Sequence, residues 1–448
     1  MLELLRSAIA FSWVSSLFAA QELVHAIAPA GQGPSCREAN ERFYSIIQAT
    51  QEQFGDLIWA GYQIGDDLQR DLIDFVFDFL ALRVFTPSYV NRLVSDALEQ
   101  SQESLRVLRP GRNSRLAWQE FQNNYEVYSL VKHVRSRLRI PSGPHFPLEE
   151  LIRNAYALGE FADLWAVEGL GHDYAVSFRS QDEPLRGLLT GESARVLPAS
   201  SLTMMHAGIG LAFAEELMKT ITPYSPVEDI DRVLQEFITL CKDNSREGYL
   251  GAAYESLGLV TRTWHAQMVS VVDRRLRENH GDVVSYFWHG SGRALYFLPM
   301  YFIPGSLSPW RALEREAPDD VGRLNMLAGL AWATTLVNMR QPEIMANLLK
   351  YRGDRLTRTD AFSNGVMSSV MMASDITPED VYIAAFCRYR TDSSDHHLAE
   401  LWESCIARPC ERALNSYYPV LKKHERLGEV FHYQSYPNLI ESLEGGRP

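Results

Sequence analysis

The sequence predicts an all-α protein: a helical-hairpin repeat array, α/α-superhelix-like, preceded by an N-terminal helical region. Three observations predict it. Apolar residues recur at helical spacing along most of the chain, alternating strand patterns are nearly absent, and after residue 150 a glycine returns at intervals close to 40. The 448 residues are 46% hydrophobic and 11% aromatic, which suits a folded chain with a large core and excludes a disordered one.

The N-terminal helical region is read as residues 1–140. Residues 8–20 are apolar, but thirteen residues fall short of the ~20 that cross a bilayer. Glu3 offsets Arg6, and no clean small-x-small cleavage site follows, so a buried or amphipathic first helix is expected rather than a signal or an anchor. Over residues 38–82 apolar side chains recur at three and four (Phe43, Ile46, Ile47, Phe54), with Asp66, Asp67 and Asp71 on the opposite face. Helical patterns over residues 87–108 and 112–138 complete the region. Ile140-Pro141-Ser142-Gly143-Pro144 is the strongest punctuation in the chain and marks its boundary.

The second domain is read as residues 150–448. Gly169, Gly208, Gly251, Gly292, Gly329 and Gly365 stand among small or apolar residues near the start of successive helical stretches, 39, 43, 41, 37 and 36 residues apart. Glycine costs a helix about 1 kcal/mol relative to alanine. Its regular return therefore points to helices packed closely where a side chain is missing, as in stacked hairpins that bury their faces against one another.

Charge and motifs narrow the function. With 43 basic and 56 acidic residues the net charge is −13, a field that repels nucleic acid. Five cysteines with no CxxC pair exclude a disulfide framework or a thiolate zinc site and suit a cytoplasmic protein. No P-loop, dinucleotide fingerprint, haem-attachment motif, nucleophile elbow or HExxH is present, so neither a cofactor nor a metal is expected. His172-Asp173 alone makes a weak metal doublet, with His145 and Asp243 as conceivable completions. Asp67 and Asp71, one turn apart, would suit magnesium in a class I terpene cyclase. The second metal motif such an enzyme needs has only the compressed Asp243-Asn244-Ser245-Arg246-Glu247 to offer. Residues 106–139 carry Arg106, Arg109, Arg112, Arg115, Lys132, Arg135, Arg137 and Arg139 against Glu120 and Glu126, a basic patch able to dock an acidic carrier protein.

Five motifs recur in a fixed order between residues 167 and 338. They are Glu168-Gly169-Leu170-Gly171, His206-Ala207-Gly208-Ile209-Gly210, Glu247-Gly248-Tyr249-Leu250-Gly251, Gly292-Arg293-Ala294-Leu295-Tyr296-Phe297 and Gly329-Leu330-Ala331. In this order the segment resembles a bacterial family of unknown function encoded beside enediyne polyketide synthases. The resemblance implies a tailoring role in polyketide or related specialised metabolism and carries no catalytic residues with it. The long helical insertion from Asp66 to Asp163, the different last hundred residues and the lack of the glycine pair that ends the family's last motif depart from the family's pattern.

The motif positions also suggest chemistry of their own. Glu168, in an apolar run, and Glu247 are candidate acid-base groups, with His206 as an imidazole partner and Arg293 as a fixed cation for a developing enolate oxygen. Glu255 is a further carboxylate beside the same glycines. His172, Tyr249, Tyr254, His289 and Tyr296 are candidate substrate-binding groups, amid aromatic residues that suit a hydrophobic substrate. The sequence thus points to a cofactor-independent enzyme of polyketide or enediyne-type biosynthesis, a cyclase or carbon–carbon bond-forming enzyme. The alternatives are a non-catalytic helical-repeat module binding a carrier protein or synthase, and the magnesium-dependent terpene cyclase.

Overall fold

The structure, a computed structural model, describes residues 112–141, 146–159, 161–178, 185–298, 309–378 and 380–445. Residues 1–28, Asp66, Asp67, Asp71, Arg106, Arg109 and His145 lie outside the described residues, so the leader, terpene-cyclase and upstream metal readings concern parts not described. Arg115–Leu298 and the chain from Pro309 onward form one compact unit. Among the described residues there is helix, turn and loop, with no strand: the protein is all-α.

Four helices lead in: α1 (Arg112–Lys132), α2 (Val134–Leu138), α3 (Leu148–Tyr156) and α4 (Ala162–Ser177). Long and short helices then alternate. These are α5 (Leu202–Met218), α6 (Val227–Asn244), α7 (Leu250–Trp264), α8 (Val269–Asn279), α9 (Val284–Phe297), α10 (Pro309–Glu316), α11 (Asp320–Asn338), α12 (Pro342–Leu356) and α13 (Ala361–Ile376). The chain ends with α14 (Val381–Arg388), a long α15 over residues 396–423, and α16 (Tyr436–Gly445). Helix α15 contains π-turns at Glu403–Ala407 and Ala413–Tyr417. Pro409 and Pro419, which lack the amide a helix interior needs, each follow one of these wider turns, and the helix runs on.

Helices α4, α5, α7, α9, α11 and α13 pack in that order, each against the next. They are apolar on nearly every side: α5 buries fourteen of its seventeen residues and α11 fifteen of nineteen. A helix apolar all round belongs in a core. Helices α6, α8, α10 and α12, with charged outer faces, cover this row. The row curls on itself. The turn Ala199–Ser201 before α5 touches α13, and the 3-10 turn Leu427–Phe431 touches α7, α9 and α13 together.

The glycines explain the close packing, although they sit differently from the sequence reading. Gly169, Gly208, Gly292 and Gly329 lie in the middle of their helices, not near the start. The crossing points are mid-helix, and that is where a side chain must be absent. A β-carbon on Gly208 would collide with the Glu168 carbonyl, one on Gly290 with that of Glu255, and one on Gly329 with that of His289. Gly248 and Gly251 do something else. They receive the carbonyls of Glu425 and Gly428, seating the C-terminal segment on the entry to α7.

The basic block is joined to this core. Asn123 Nδ2 on α1 donates to Asn338 Oδ1 (3.0 Å), and Asn124 Nδ2 donates to the Tyr296 carbonyl (3.0 Å). Arg340 pairs with Glu126 and stacks 3.8 Å over the Phe161 ring. No helix of the described residues is long and apolar enough to cross a membrane.

Candidate functional site

The glycine crossings bring four ionisable side chains together from three helices of the row. Arg293 on α9 donates from Nη2 to Glu168 Oε1 on α4 (2.5 Å) and from Nη1 to Glu255 Oε2 on α7 (3.1 Å). His289, one turn before Arg293, places Nδ1 3.1 Å from the other oxygen of Glu255. All four are at most 2% exposed. The glycines that abut the backbones of Glu168, Glu255 and His289 are the ones that let these helices approach, so the cluster lies at close helix crossings.

Its surroundings are aromatic. The Arg293 guanidinium lies 4.8 Å from the Trp332 ring centroid and 5.8 Å from that of Phe297. Phe431, from the C-terminal turn, lies 5.9 Å from Trp332 and 6.4 Å from His289. In this dry setting the two carboxyls diverge. Burial pushes Glu168 above the usual carboxylate range, and its bond to Arg293 does not reverse that. Burial acts upward on Glu255 too, but Arg293 and His289 together hold it below that range. Burial alone would lower Arg293, and the two glutamates instead raise it. Three neighbouring side chains keep a polar nitrogen without a hydrogen-bond partner: His289 Nε2, Arg293 Nε and Trp332 Nε1. Buried polar atoms are seldom left so.

Compared with known proteins, the chain matches no family model, no curated protein and no solved structure.

Among the residues singled out from sequence, Glu168, Arg293 and His289 come together. The fourth member is Glu255 rather than Glu247. Glu247 is exposed, on a 3-10 turn before α7, and the structure does not bring it to Arg293. Helix phase distinguishes the two glutamates: Gly251, Glu255 and Gly258 share one face of α7 at four- and three-residue spacing, whereas Glu247 precedes the helix.

His206 is also buried, but apart from the cluster. Its Nδ1 donates to the Leu202 carbonyl (2.6 Å) and its Nε2 accepts the Arg246 amide (3.0 Å), so both nitrogens serve the backbone. Burial lowers its pKa to about 3, which keeps the ring neutral. Tyr249 stacks on it, 5.2 Å between centroids. This pair joins α5 to the entry of α7, and His206 has no nitrogen left with which to move a proton.

The remaining candidates scatter. His172 is half-buried, 3.3 Å from Glu215 Oε2, while Asp173 accepts from Arg135 (3.1 Å); the doublet's partners are a carboxylate and a guanidinium. Tyr254 packs against Tyr286 (6.0 Å), its hydroxyl without a partner. Tyr296 donates to Glu120 Oε1 (3.1 Å) and accepts from Asn338 Nδ2 (2.6 Å), joining α9 to α1 and α11. Asn244, in the compressed metal motif, accepts the Leu188 amide (3.1 Å) and donates to the Leu185 and Leu240 carbonyls (2.8 and 2.9 Å). That side chain pins a loop. Among the described residues no three His, Cys, Asp or Glu side chains gather as a metal ion requires. Arg135, Arg137 and Arg139 stand exposed.

Proposed function

We propose that the protein is a cofactor-independent enzyme that moves protons on a hydrophobic substrate, closing a ring or forming a carbon–carbon bond. The observation that supports this is the buried Glu168–Arg293–Glu255–His289 cluster, with two carboxyls driven in opposite directions and unpartnered nitrogens beside them. A reaction that both donates and removes a proton needs one carboxyl that keeps its proton and one that has lost it. Glu168 takes the role of acid and Glu255 that of base. Arg293, held between them, supplies fixed positive charge for an enolate oxygen, with Trp332 Nε1 and His289 Nε2 as further polar contacts.

The aromatic shell favours a flat or polyunsaturated substrate, and the motif order supports a polyketide or enediyne-type one. Because the cluster is closed to solvent, the shell opens on binding. The clefts lined by Trp310–Thr359 side chains and by Phe146–Val196 side chains include no member of the cluster. The glycine crossings at a period near 40, with covering helices between, support reading the row as a helical-hairpin array. Cytoplasmic residence fits the cysteines Cys241, Cys387, Cys405 and Cys410, which are free among the described residues.

The same closure favours a second reading. The cluster then serves only as a charged joint, and the chain is a non-catalytic helical-repeat module whose exposed Arg135, Arg137 and Arg139 dock an acidic carrier protein or synthase. Expression of the full chain together with the genes that flank its own, followed by profiling of the metabolites formed, separates the two. Glu168→Gln and Glu255→Gln, each verified as folded by thermal melting, are expected to abolish the product, with the substrate accumulating. Undiminished product from the folded double variant would overturn the enzyme reading.

A further inference from the structure

Neither reading of the charged cluster uses the cysteines, and two of them lie together. Cys387 sits in the last turn of α14 and Cys410 in the middle of α15. Their thiols are in hydrogen-bond contact, with the Cys410 S–H donating to the Cys387 sulfur. Cys405, also on α15, meets the Ser404 hydroxyl instead (3.5 Å).

The docking of α14 on α15 sets this contact. The Trp402 ring packs against Phe386 (5.8 Å between centroids) and Tyr389 (4.9 Å), on either side of Cys387 in the chain. Its Nε1 donates to the Tyr389 carbonyl (3.0 Å). Two turns of a regular α-helix bring one face round again after about seven residues. Trp402 and Cys410 are eight positions apart, and the π-turn Glu403–Ala407 between them takes up the extra residue, so both face α14. In an uninterrupted α-helix Cys410 would be turned away from Cys387.

The two thiols differ in exposure and in charge. Cys410 is fully buried, whereas Cys387 is only partly so. Arg388 and Arg390 stand beside Cys387 in the chain, and Arg390 Nη1 donates to its carbonyl (3.0 Å). The bond from Cys410, helped by these two cations, holds the Cys387 thiol below its ordinary range. The same bond, together with burial, pushes Cys410 well above it. A partly exposed thiolate against a buried, protonated thiol is the pairing of an attacked and a resolving cysteine.

We propose that Cys387 and Cys410 form a reversible thiol–disulfide site whose oxidant is a hydroperoxide. The Cys387 thiolate attacks one peroxide oxygen and the O–O bond breaks. The other oxygen leaves as water or an alcohol, taking the proton the thiol gave up, and Cys387 becomes a sulfenic acid. The Cys410 sulfur then attacks the Cys387 sulfur, the S–O bond breaks, and hydroxide leaves as water with the Cys410 proton. The two sulfurs lose two electrons in all, the peroxide gains them, and α14 is tied covalently to α15. A reducing dithiol returns both cysteines to thiols by exchange. The site uses no residue of the acid–base cluster and stands or falls apart from it.

The test uses the full chain, reduced, then exposed to hydrogen peroxide under native conditions, with the remaining thiols alkylated and the peptides mapped by mass spectrometry without reduction. The peptides carrying Cys387 and Cys410 are expected as one cross-linked species, two hydrogens lighter than the pair and lost on treatment with dithiothreitol. Cys387→Ala is expected to lose the cross-link and leave Cys410 a thiol, while Cys405→Ala keeps the cross-link. In Cys410→Ala the sulfenic acid on Cys387 has no resolving partner and is captured by dimedone. Should that buried substitution prevent folding, dimedone added to the unsubstituted chain during oxidation identifies the thiol attacked first. Failure of the folded chain to join Cys387 to Cys410, at a peroxide concentration that oxidises the urea-unfolded chain, would overturn the proposal. So would dimedone on Cys410 rather than Cys387.

Discussion

Glu168 and Glu255 share one guanidinium yet titrate in opposite directions, because Glu255 has a second partner in His289 and Glu168 has none of comparable closeness. Small differences in partnership matter this much only where water is excluded. His206 shows the other use of a buried imidazole. Its pKa of about 3, against 6.5 for an ordinary histidine, means that the folded chain holds it neutral. As pH falls below 6.5 the unfolded chain takes up a proton that the folded chain refuses. Stability present above pH 6.5 is therefore lost progressively toward pH 3, at roughly 1.4 kcal/mol per pH unit. His206→Gln can keep both backbone hydrogen bonds while removing the titration. Its melting temperature is expected to fall less steeply than that of the unsubstituted chain between pH 6.5 and 4, and parallel curves would exclude this role. Sequence reasoning found Glu168, Arg293 and His289 because each lies beside a helical glycine. It ranked Glu247 above Glu255 because it read distance along the chain rather than the face of α7. It could not tell His206 from a proton carrier, since the partners of its nitrogens are backbone groups that no motif records.

At the scale of elements, glycine carries the packing. Where α7 and α9 cross, Gly258 meets the Phe287 carbonyl and Gly290 meets that of Glu255, so each helix lacks a side chain where the other's backbone arrives. Gly290→Ala must push these helices apart, at a cost of about 1–3 kcal/mol in chemical denaturation. It should also loosen Glu255 from Arg293. Gly281→Ala, with nothing within 4 Å of the added carbon, is the matched control and is expected to stay within about 0.5 kcal/mol. Equal stability of the two variants would remove close approach as the reason for the glycines. The interval near 40 was legible because the crossings recur once per long helix and its covering partner. The mid-helix position was less so, since glycine near a helix end is the commoner arrangement and nothing local contradicts it. Helix α15 was hidden for a similar reason: Pro409 and Pro419 ordinarily end helices, and the π-turns that accommodate them leave no clear sequence signal.

For the whole molecule, fold class was legible and its closure was not. Helical periodicity is local, whereas the curl of the row depends on contacts between distant segments. Leu427–Phe431, some 170 residues beyond α7 in sequence, rests on α7, α9 and α13; its Gly428 carbonyl fits over Gly251, and the Glu425 carbonyl just before it fits over Gly248. The sequence shows those two glycines but not what they receive. The same closure sets Phe431 against Trp332 and His289 and so keeps the charged cluster dry. The central claim is that this enclosure drives the two glutamates apart. Its most direct measurement is the carboxyl carbon-13 resonance of labelled glutamate followed through pH, with Glu168→Gln and Glu255→Gln used to assign the two signals. The account predicts that the Glu168 carboxyl takes up its proton at a higher pH than an exposed glutamate, and Glu255 at a lower one. Two signals titrating together in the ordinary range, or in the reverse order, would contradict it.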